Sequence, residues 1–193
     1  MSSDGANANG ITPSTSTSST GESKLFAGVM IVKDGNILLG KKKRGFGLGK
    51  WQHTFAGKAE PEDEGRTEAT AARELAEEIG LAVGEEDLSL VAVLRYTFGE
   101  ALGLKAMEVR VYSAECERFA GVPRESEEIA EPRWFDAGSL PLDEMWSDNA
   151  LWLPEVLDGA WPPGKTLHAS FHYPTLGEAV LQTKHAKELM NKQ

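Results

Sequence analysis

The hydrophobic positions of this chain change period several times, and each change marks an element. Phe26 to Val32 reads as a strand, Asp34-Gly35-Asn36 as a turn, and Ile37 to Gly40 as the returning strand. A basic, glycine-rich loop follows from Lys41 to Lys50. Between Thr67 and Ile79 the pattern turns helical: Ala72, Leu75, Ala76 and Ile79 can pack on a core, and Gly80 can end the helix in a left-handed conformation. Leu88 to Phe98 and Ala106 to Glu115 are rich in β-formers and flank Gly99 to Lys105, which predicts a long hairpin. Pro132 to Asp136 reads as a short strand, Asn149 to Leu157 as helical, Thr166 to Tyr173 as a strand, and Glu178 to Asn191 as a C-terminal helix. No internal repeat is visible. Strands interleaved with helices predict an α/β/α sandwich.

Residues 1–23 are a different material. Met1 to Gly21 is built from Ser, Thr, Gly, Ala and Asn, with too little apolar surface to offset the entropy of ordering. The segment lacks the apolar stretch of a secretory signal, and no Arg or Lys precedes Lys24. The expected organisation is a disordered tail over 1–23 and one domain over 24–193. The 40% hydrophobic content suffices for one substantial core. A net charge of −10 disfavours a broad grip on nucleic-acid polymers or anionic membranes. The single cysteine, Cys116, rules out an intramolecular disulfide and is expected to be a small strand residue in a reducing compartment. Apolar runs are too short to span a bilayer. The expected location is cytoplasmic, with nucleus and mitochondrion left open.

The helix carries the chemistry. Glu74, Glu77 and Glu78 stand at i, i+3 and i+4, so three carboxylates share one side. Like charges so placed repel, and a divalent cation would turn that repulsion into attraction. Clustered carboxylate oxygens suit magnesium, with manganese as the alternative. A solvated acidic face is the other meaning of such a run, and the wider pattern decides against it.

Gly57, Arg73, Glu74, Leu75, Glu77, Glu78, Gly80 and Leu81 resemble the Nudix hydrolase signature, G-x5-E-x7-R-E-U-x-E-E-x-G-U with U aliphatic. Arg73 lies sixteen residues after Gly57, where the family has fourteen. Counted back from Arg73, the early Glu of the signature finds no match, because Gly65 and Glu64 stand eight and nine residues before it. Lys58 to Arg66 therefore reads as a lengthened loop. The resemblance implies a Nudix-type α/β/α sandwich with a mixed sheet. Lys42 to Gly47, Trp51, Trp134-Phe135 and Met145 to Asn149 further resemble the animal MutT-homologue branch, over about Leu25 to Tyr173. Enzymes of that branch hydrolyse oxidised purine nucleoside triphosphates, notably 8-oxo-dGTP, to the monophosphate and pyrophosphate.

What the resemblance implies can be stated residue by residue. Glu77 and Glu78 are principal metal ligands, with Glu74 and the backbone carbonyl of Ala56 completing the set. Glu128 supplies a distant carboxylate, as ligand or general base, with Glu127 as its substitute. Arg73 orients a carboxylate rather than touching phosphate. Lys42 and Lys58 have phosphate or ribose roles, and Gly57 permits close backbone approach. Trp146 stacks on the base, and Asp148 and Asn149 read its edge. Phe46, Tyr96, Phe98 and Met107 match apolar pocket positions, equally well explained as core.

Three pocket positions depart from the branch. Asn149 replaces the second of two adjacent aspartates. Trp51-Gln52-His53-Thr54-Phe55 replaces Trp-Asn-Gly-Phe, with Gln52 nearest to the base-contacting asparagine and Phe55 closing the segment. Ala27 stands where a pocket threonine is usual. The expectation is a monomer acting on a small-molecule purine nucleoside triphosphate, with neither nucleic-acid polymer nor membrane as partner. Alternatives are hydrolysis of unmodified dNTPs, ADP-ribose or dinucleoside polyphosphates, or a non-catalytic binding module. The intact glutamates speak against the module.

Overall fold

The computed structural model describes residues 23–158 and 165–188. The expected tail, up to residue 22, and residues 189–193 lie outside the described residues. In chain order the strands are β1 (Lys24–Met30), β2 (Val32–Lys33), β3 (Asn36–Lys42), β4 (Trp51–Gln52) and β5 (Thr54–Lys58). Helix α1 (Thr67–Ile79) follows, then β6 (Ser89–Phe98), β7 (Met107–Ser113), β8 (Ile129–Asp136), α2 (Leu153–Leu157), β9 (Lys165–Thr175) and β10 (Glu178–Glu188).

The main sheet runs in the order β10-β9-β6-β7-β1-β5. It is mixed: β1 pairs with β7 and β6 with β9 in parallel, whereas the remaining pairs are antiparallel. The expected hairpin is present as β6 and β7. A smaller sheet joins β2, β3 and β4, with β8 on the other side of β3. The strand expected to start at Pro132 begins at Ile129, because backbone pairing with Lys42 continues the ladder past the proline.

Strand alternation gives the main sheet two faces, and each has its own apolar layer. Ala27, Val29 and Phe55 face α1 and pack with Ala71, Leu75 and Ile79. On the opposite face Leu94, Val111, Leu167 and Phe171 pack with Met145, Trp152 and Leu153 from the segment around α2. This is the α/β/α arrangement. The helical stretch expected over 149–157 is split between a 3-10 turn, Ser147–Leu151, and α2.

Helix α1 has the expected bounds, and Gly80 ends it at φ 74 with its N–H on the Ala76 carbonyl. Its apolar stripe is rotated from expectation. Ala71 is fully buried and Ala76 is exposed, because the stripe runs at i, i+4 and i+8 through Ala71, Leu75 and Ile79.

Two further expectations fail. Glu178–Glu188 is a strand, not a helix: it pairs antiparallel with β9 from Glu178↔Thr175 to Glu188↔Lys165. Its Ala, Leu, Lys and Glu favour a helix locally, but an open sheet edge beside β9 offers a full ladder of backbone hydrogen bonds. Cys116 is half-buried in a 3-10 turn, Cys116–Arg118, beyond the end of β7. No helix among the described residues is long and apolar enough to cross a membrane.

Candidate active site

The sheet face opposite α1 is not fully covered, and a cavity of about 710 Å³ opens against it. A second cleft, of about 290 Å³, is lined by Arg44, Glu74, Glu77, Glu78, Ser126, Glu127 and Glu128. Glu74 and Glu128 border both spaces, so an acidic cleft and a larger, partly aromatic cavity meet at the β5 edge.

Helix geometry spreads the three glutamates across a gradient of burial. Glu78 is 3% exposed, whereas the side chain of Glu77 is 60% exposed. Glu74 lies against the backbone of Gly57: a β-carbon there would sit 2.0 Å from Glu74 Oε1. A side chain here would have to displace the Glu74 carboxylate; the approach is by this glutamate, where the expectation for Gly57 was approach by metal and phosphate. Burial pushes the Glu78 carboxyl up to about 7, with Lys42 opposing and Glu74 and Glu128 adding to the rise. Glu74 is also raised, by burial first, against the pull of Arg73.

Cations hold the carboxylates in place. Lys42 Nζ donates to Glu78 Oε1 at 2.8 Å and to Glu128 Oε2 at 2.7 Å. Arg44 donates to Glu128 Oε1 at 2.7 Å. Hydrogen bonds from Lys42 and Arg44 keep the Glu128 carboxyl below its usual range. Burial works to lower Lys42, but its two glutamates outweigh that and its pKa rises. The Lys42–Glu78 pair therefore binds tightly in geometry while burial still raises the glutamate. Glu128 is the one of the two drawn to Lys42 beside Glu78; Glu127 is 89% exposed and pairs with Arg44 at 3.5 Å.

Arg73 lies against two of the three helix glutamates. Its Nη1 donates to Glu74 Oε1 at 2.7 Å and to Glu77 Oε2 at 3.4 Å, and its Nη2 to the Lys58 carbonyl at 3.2 Å. Behind it stands a residue the sequence reading missed. Asp63 is buried and accepts from Arg73, from the Thr70 hydroxyl at 2.7 Å and from the Glu60 N–H at 2.9 Å. Counted forward from Gly57 it occupies the early acidic position of the signature, with aspartate for glutamate. The two extra residues fall after it, where Glu64 at φ 52 and Gly65 at φ 75 form a left-handed turn.

The donor set fits a hard divalent cation. Four carboxylates and the strand backbone at Ala56 supply only oxygen, and burial, which raises Glu74 and Glu78 first of all, leaves a charge cluster that such an ion would stabilise. Among the described residues no three acidic, histidine or cysteine side chains already converge as a ligand group. Lys42, Arg44 and Arg73 pair with those carboxylates instead.

The larger cavity gathers most of the expected substrate residues: Lys42, Phe46, Gln52, Gly57, Lys58, Trp146, Asp148 and Asn149 all line it. Phe46 stacks on Trp146 with ring centroids 4.5 Å apart, and Tyr173 meets the indole edge-on. Tyr96 and Met107 also line the cavity; Phe98 stands behind, stacked on Tyr173.

Two assignments need correction, and two further residues carry contacts the sequence did not foretell. Ala27 and Phe55 are fully buried against α1, because strand parity turns Phe26, Thr54 and Ala56 to the cavity instead. Gln52 lines the cavity as expected, and its amide donates to Glu78 Oε2 at 3.2 Å. Asp148 is 3% exposed, and its carboxylate already accepts from Tyr96 at 2.9 Å, Trp152 at 3.1 Å and Tyr173 at 2.5 Å. Of about four acceptor sites on a carboxylate, three are taken. Asp148 thus ties three aromatic side chains together, with about one acceptor site left towards the cavity, and Asn149 lies beside it on the same wall. His53, also on the cavity wall, is kept neutral by burial, which lowers its pKa to about 3.

Comparison with known proteins agrees with this geometry. The NUDIX domain profile matches residues 24–156. The chain is 42% identical over 137 residues to an oxidized purine nucleoside triphosphate hydrolase of Danio rerio, covering 70% of this chain and 80% of that one. It is 39% identical over 136 residues to the protein of the same description from Mus musculus, with the same coverage. Among solved structures, a MutT NUDIX hydrolase from Burkholderia pseudomallei superposes with a TM-score of 0.56 at 26% identity, over 72% of this chain and 98% of that one. A MutT protein from Bacillus halodurans gives a TM-score of 0.62 at 20% identity over 84% and 97%, which speaks for the fold alone.

Proposed function

The chain belongs to the NUDIX domain family, and from that premise we propose that it is a magnesium-dependent pyrophosphohydrolase of oxidised purine nucleoside triphosphates. The leading substrate is 8-oxo-dGTP, cleaved to the monophosphate and pyrophosphate. The observation that carries this reading is the junction of the acidic cleft, lined by Glu74, Glu77, Glu78 and Glu128, with the aromatic-walled cavity.

The carboxylates of Glu74, Glu77, Glu78 and Glu128, with the Ala56 carbonyl, would hold the divalent ion. When bound, it supplies neutralisation of phosphate charge and Lewis-acid activation of the nucleophilic water. The chain's own groups do the rest. Burial favours the neutral form of Glu78 and Lys42 the ionised one; a bound cation would act on the side of Lys42 and keep Glu78 ionised as a ligand, which leaves Glu128 as the candidate general base. Lys42, between Glu78 and Glu128, keeps both close and offers its ammonium to a phosphate oxygen. Arg73 orients Glu74 and Glu77 and is itself held by Asp63. Trp146 gives the base an indole face, and Asn149 offers an amide to the purine edge. The expected setting is the cytoplasm, as a monomer; the lone cysteine agrees with a reducing compartment, and the net charge of −10 disfavours nucleic-acid polymers as partners.

The test is hydrolysis of a panel of oxidised and normal nucleotides with magnesium, the products resolved by chromatography, for wild type and Glu78→Gln. Preferential cleavage of 8-oxo-dGTP and a fall of about 10²-fold in the variant are expected. Near wild-type turnover by the variant at saturating magnesium would sink the assignment.

A further inference from the structure

The cations around the cavity fall into two groups. Lys42 and Arg44 are held by glutamates, and Lys50 donates to the Met145 carbonyl. Lys24, Lys58 and Lys105 line the same cavity, yet among the described residues the side chains of these three make neither ion pair nor hydrogen bond. In a chain of net charge −10, three unpartnered ammonium groups on one rim are unusual.

Strand register brings them together. Phe26 lies opposite Lys58 on β5, and Lys24 lies opposite Met107 on β7. Lys24 and Lys58 are thus diagonal neighbours on one sheet face, about 7–8 Å apart by sheet geometry. Lys105 precedes Met107 by two residues, in the connection that closes the β6–β7 hairpin. Phe26, Met107 and the exposed Leu104 line the cavity beside the lysines. Like charges at this spacing repel, and an anion seated among them relieves the repulsion. Lys58 directly follows Gly57, against which Glu74 lies, so the rim begins one residue from the acidic cleft.

We propose that Lys24 and Lys105 extend the phosphate role implied for Lys58 into a rim that takes a phosphoryl group of the bound nucleotide other than the one esterified to its ribose. This rests on the reading of the cavity as the nucleotide site. Flexible ammonium groups suit a phosphate as point charges, and two or three together match its charge. The phosphoryl group has two sources: the terminal phosphates of a nucleoside triphosphate, or the far half of a dinucleoside polyphosphate.

The test uses the double variant Lys24→Gln/Lys105→Gln in the full chain, with Lys58 left intact. Calorimetric Kd values are measured for non-hydrolysable analogues of the nucleoside di- and triphosphate and of a dinucleoside tetraphosphate, at low and high ionic strength. KM and kcat are measured alongside. The expected result is a rise of about 10-fold in Kd and KM, a kcat within about twofold, and a flatter salt dependence than wild type. A penalty that grows from diphosphate to triphosphate identifies the substrate's own terminal phosphates as the occupant. A penalty confined to the tetraphosphate identifies a second nucleotide half. Equal Kd values for variant and wild type on every ligand overturn the rim. Absence of wild-type turnover with lysine-dependent binding retained would count against the proposed hydrolysis alone.

Discussion

Asp63 takes both the Nε and the Nη2 hydrogens of Arg73, at 3.3 and 3.1 Å, across a loop two residues longer than the family pattern. The aspartate is 4% exposed, and the Thr70 hydroxyl and the Glu60 N–H fill its remaining acceptor sites. Through Arg73 this buried carboxylate fixes Glu74 and Glu77. The lengthened loop is therefore tied to the acidic cleft by one ion pair.

That pair makes stability depend on acid in a defined window. Hydrogen bonding from Arg73 is the main cause that lowers the Asp63 carboxyl from 3.8 to about 2. A carboxyl depressed in the folded state contributes stability above its unfolded value and loses it as pH falls through the folded value. The contribution is about 2 kcal/mol at neutral pH. Asp63→Asn is expected to lower the unfolding free energy by about that amount above pH ~5. Denaturant melts from pH 6 downward should show the gap between wild type and variant closing from about pH 4 to about pH 2. A gap that stays constant over this range would show that Asp63 acts by shape and not by charge.

Gly57→Ala tests the contact with Glu74. The new methyl would overlap Glu74 Oε1, Cδ and Oε2, all within 2.3 Å of the built β-carbon. These atoms end a flexible side chain, so the protein should fold with Glu74 displaced. The expected outcome is a fall in kcat of about 10-fold or more, with a weaker magnesium dependence and a small loss of melting temperature. A magnesium titration of activity beside a thermal melt checks it. Unchanged magnesium dependence would mean that Glu74 has no share in holding the ion.

How much of this was legible depended on how local each signal was. The acidic cluster follows from i, i+3 and i+4 spacing on one helix, and Gly80 from the need for a left-handed cap. Asp63 was hidden because the signature was counted back from Arg73, and the two extra residues lie between them. Ala27 and Phe55 were misplaced because an aligned position does not state which sheet face a strand residue takes; that depends on where α1 packs. Strand β10 was misread because its helix-favouring composition is overridden by an unpaired edge that exists only once β9 is in the sheet. The Asp148 hub joins residues 52 and 25 positions away in sequence. No local pattern announces it.

Asp148 and its neighbour give the last prediction. Burial raises the Asp148 carboxyl, and the bonds from Tyr173, Tyr96 and Trp152 act against the rise. Asp148→Ala would leave two phenols and an indole N–H without an acceptor, which costs about 1–3 kcal/mol for each group left unpaired. Its main effect should be on the thermal melt, not on the choice of base. Asn149 is also buried on the cavity wall, and as an amide it offers both a donor and an acceptor without gaining or losing a proton. It can donate to O6 of 8-oxoguanine, and the donors N1–H and N2–H on the same edge need an acceptor beside it. An aspartate at 149 would stand next to the engaged, raised Asp148 carboxyl, so a proton could be held between the two and moved to suit either purine edge. Asn149→Asp is therefore expected to raise kcat/KM for 2-oxo-dATP relative to 8-oxo-dGTP by about 10-fold, within the 1–3 kcal/mol of one mispaired buried edge. The check is the ratio of the two kcat/KM values in wild type, Asn149→Asp and Asp148→Ala. A shift in Asp148→Ala as large as in Asn149→Asp would return the base-reading role to Asp148.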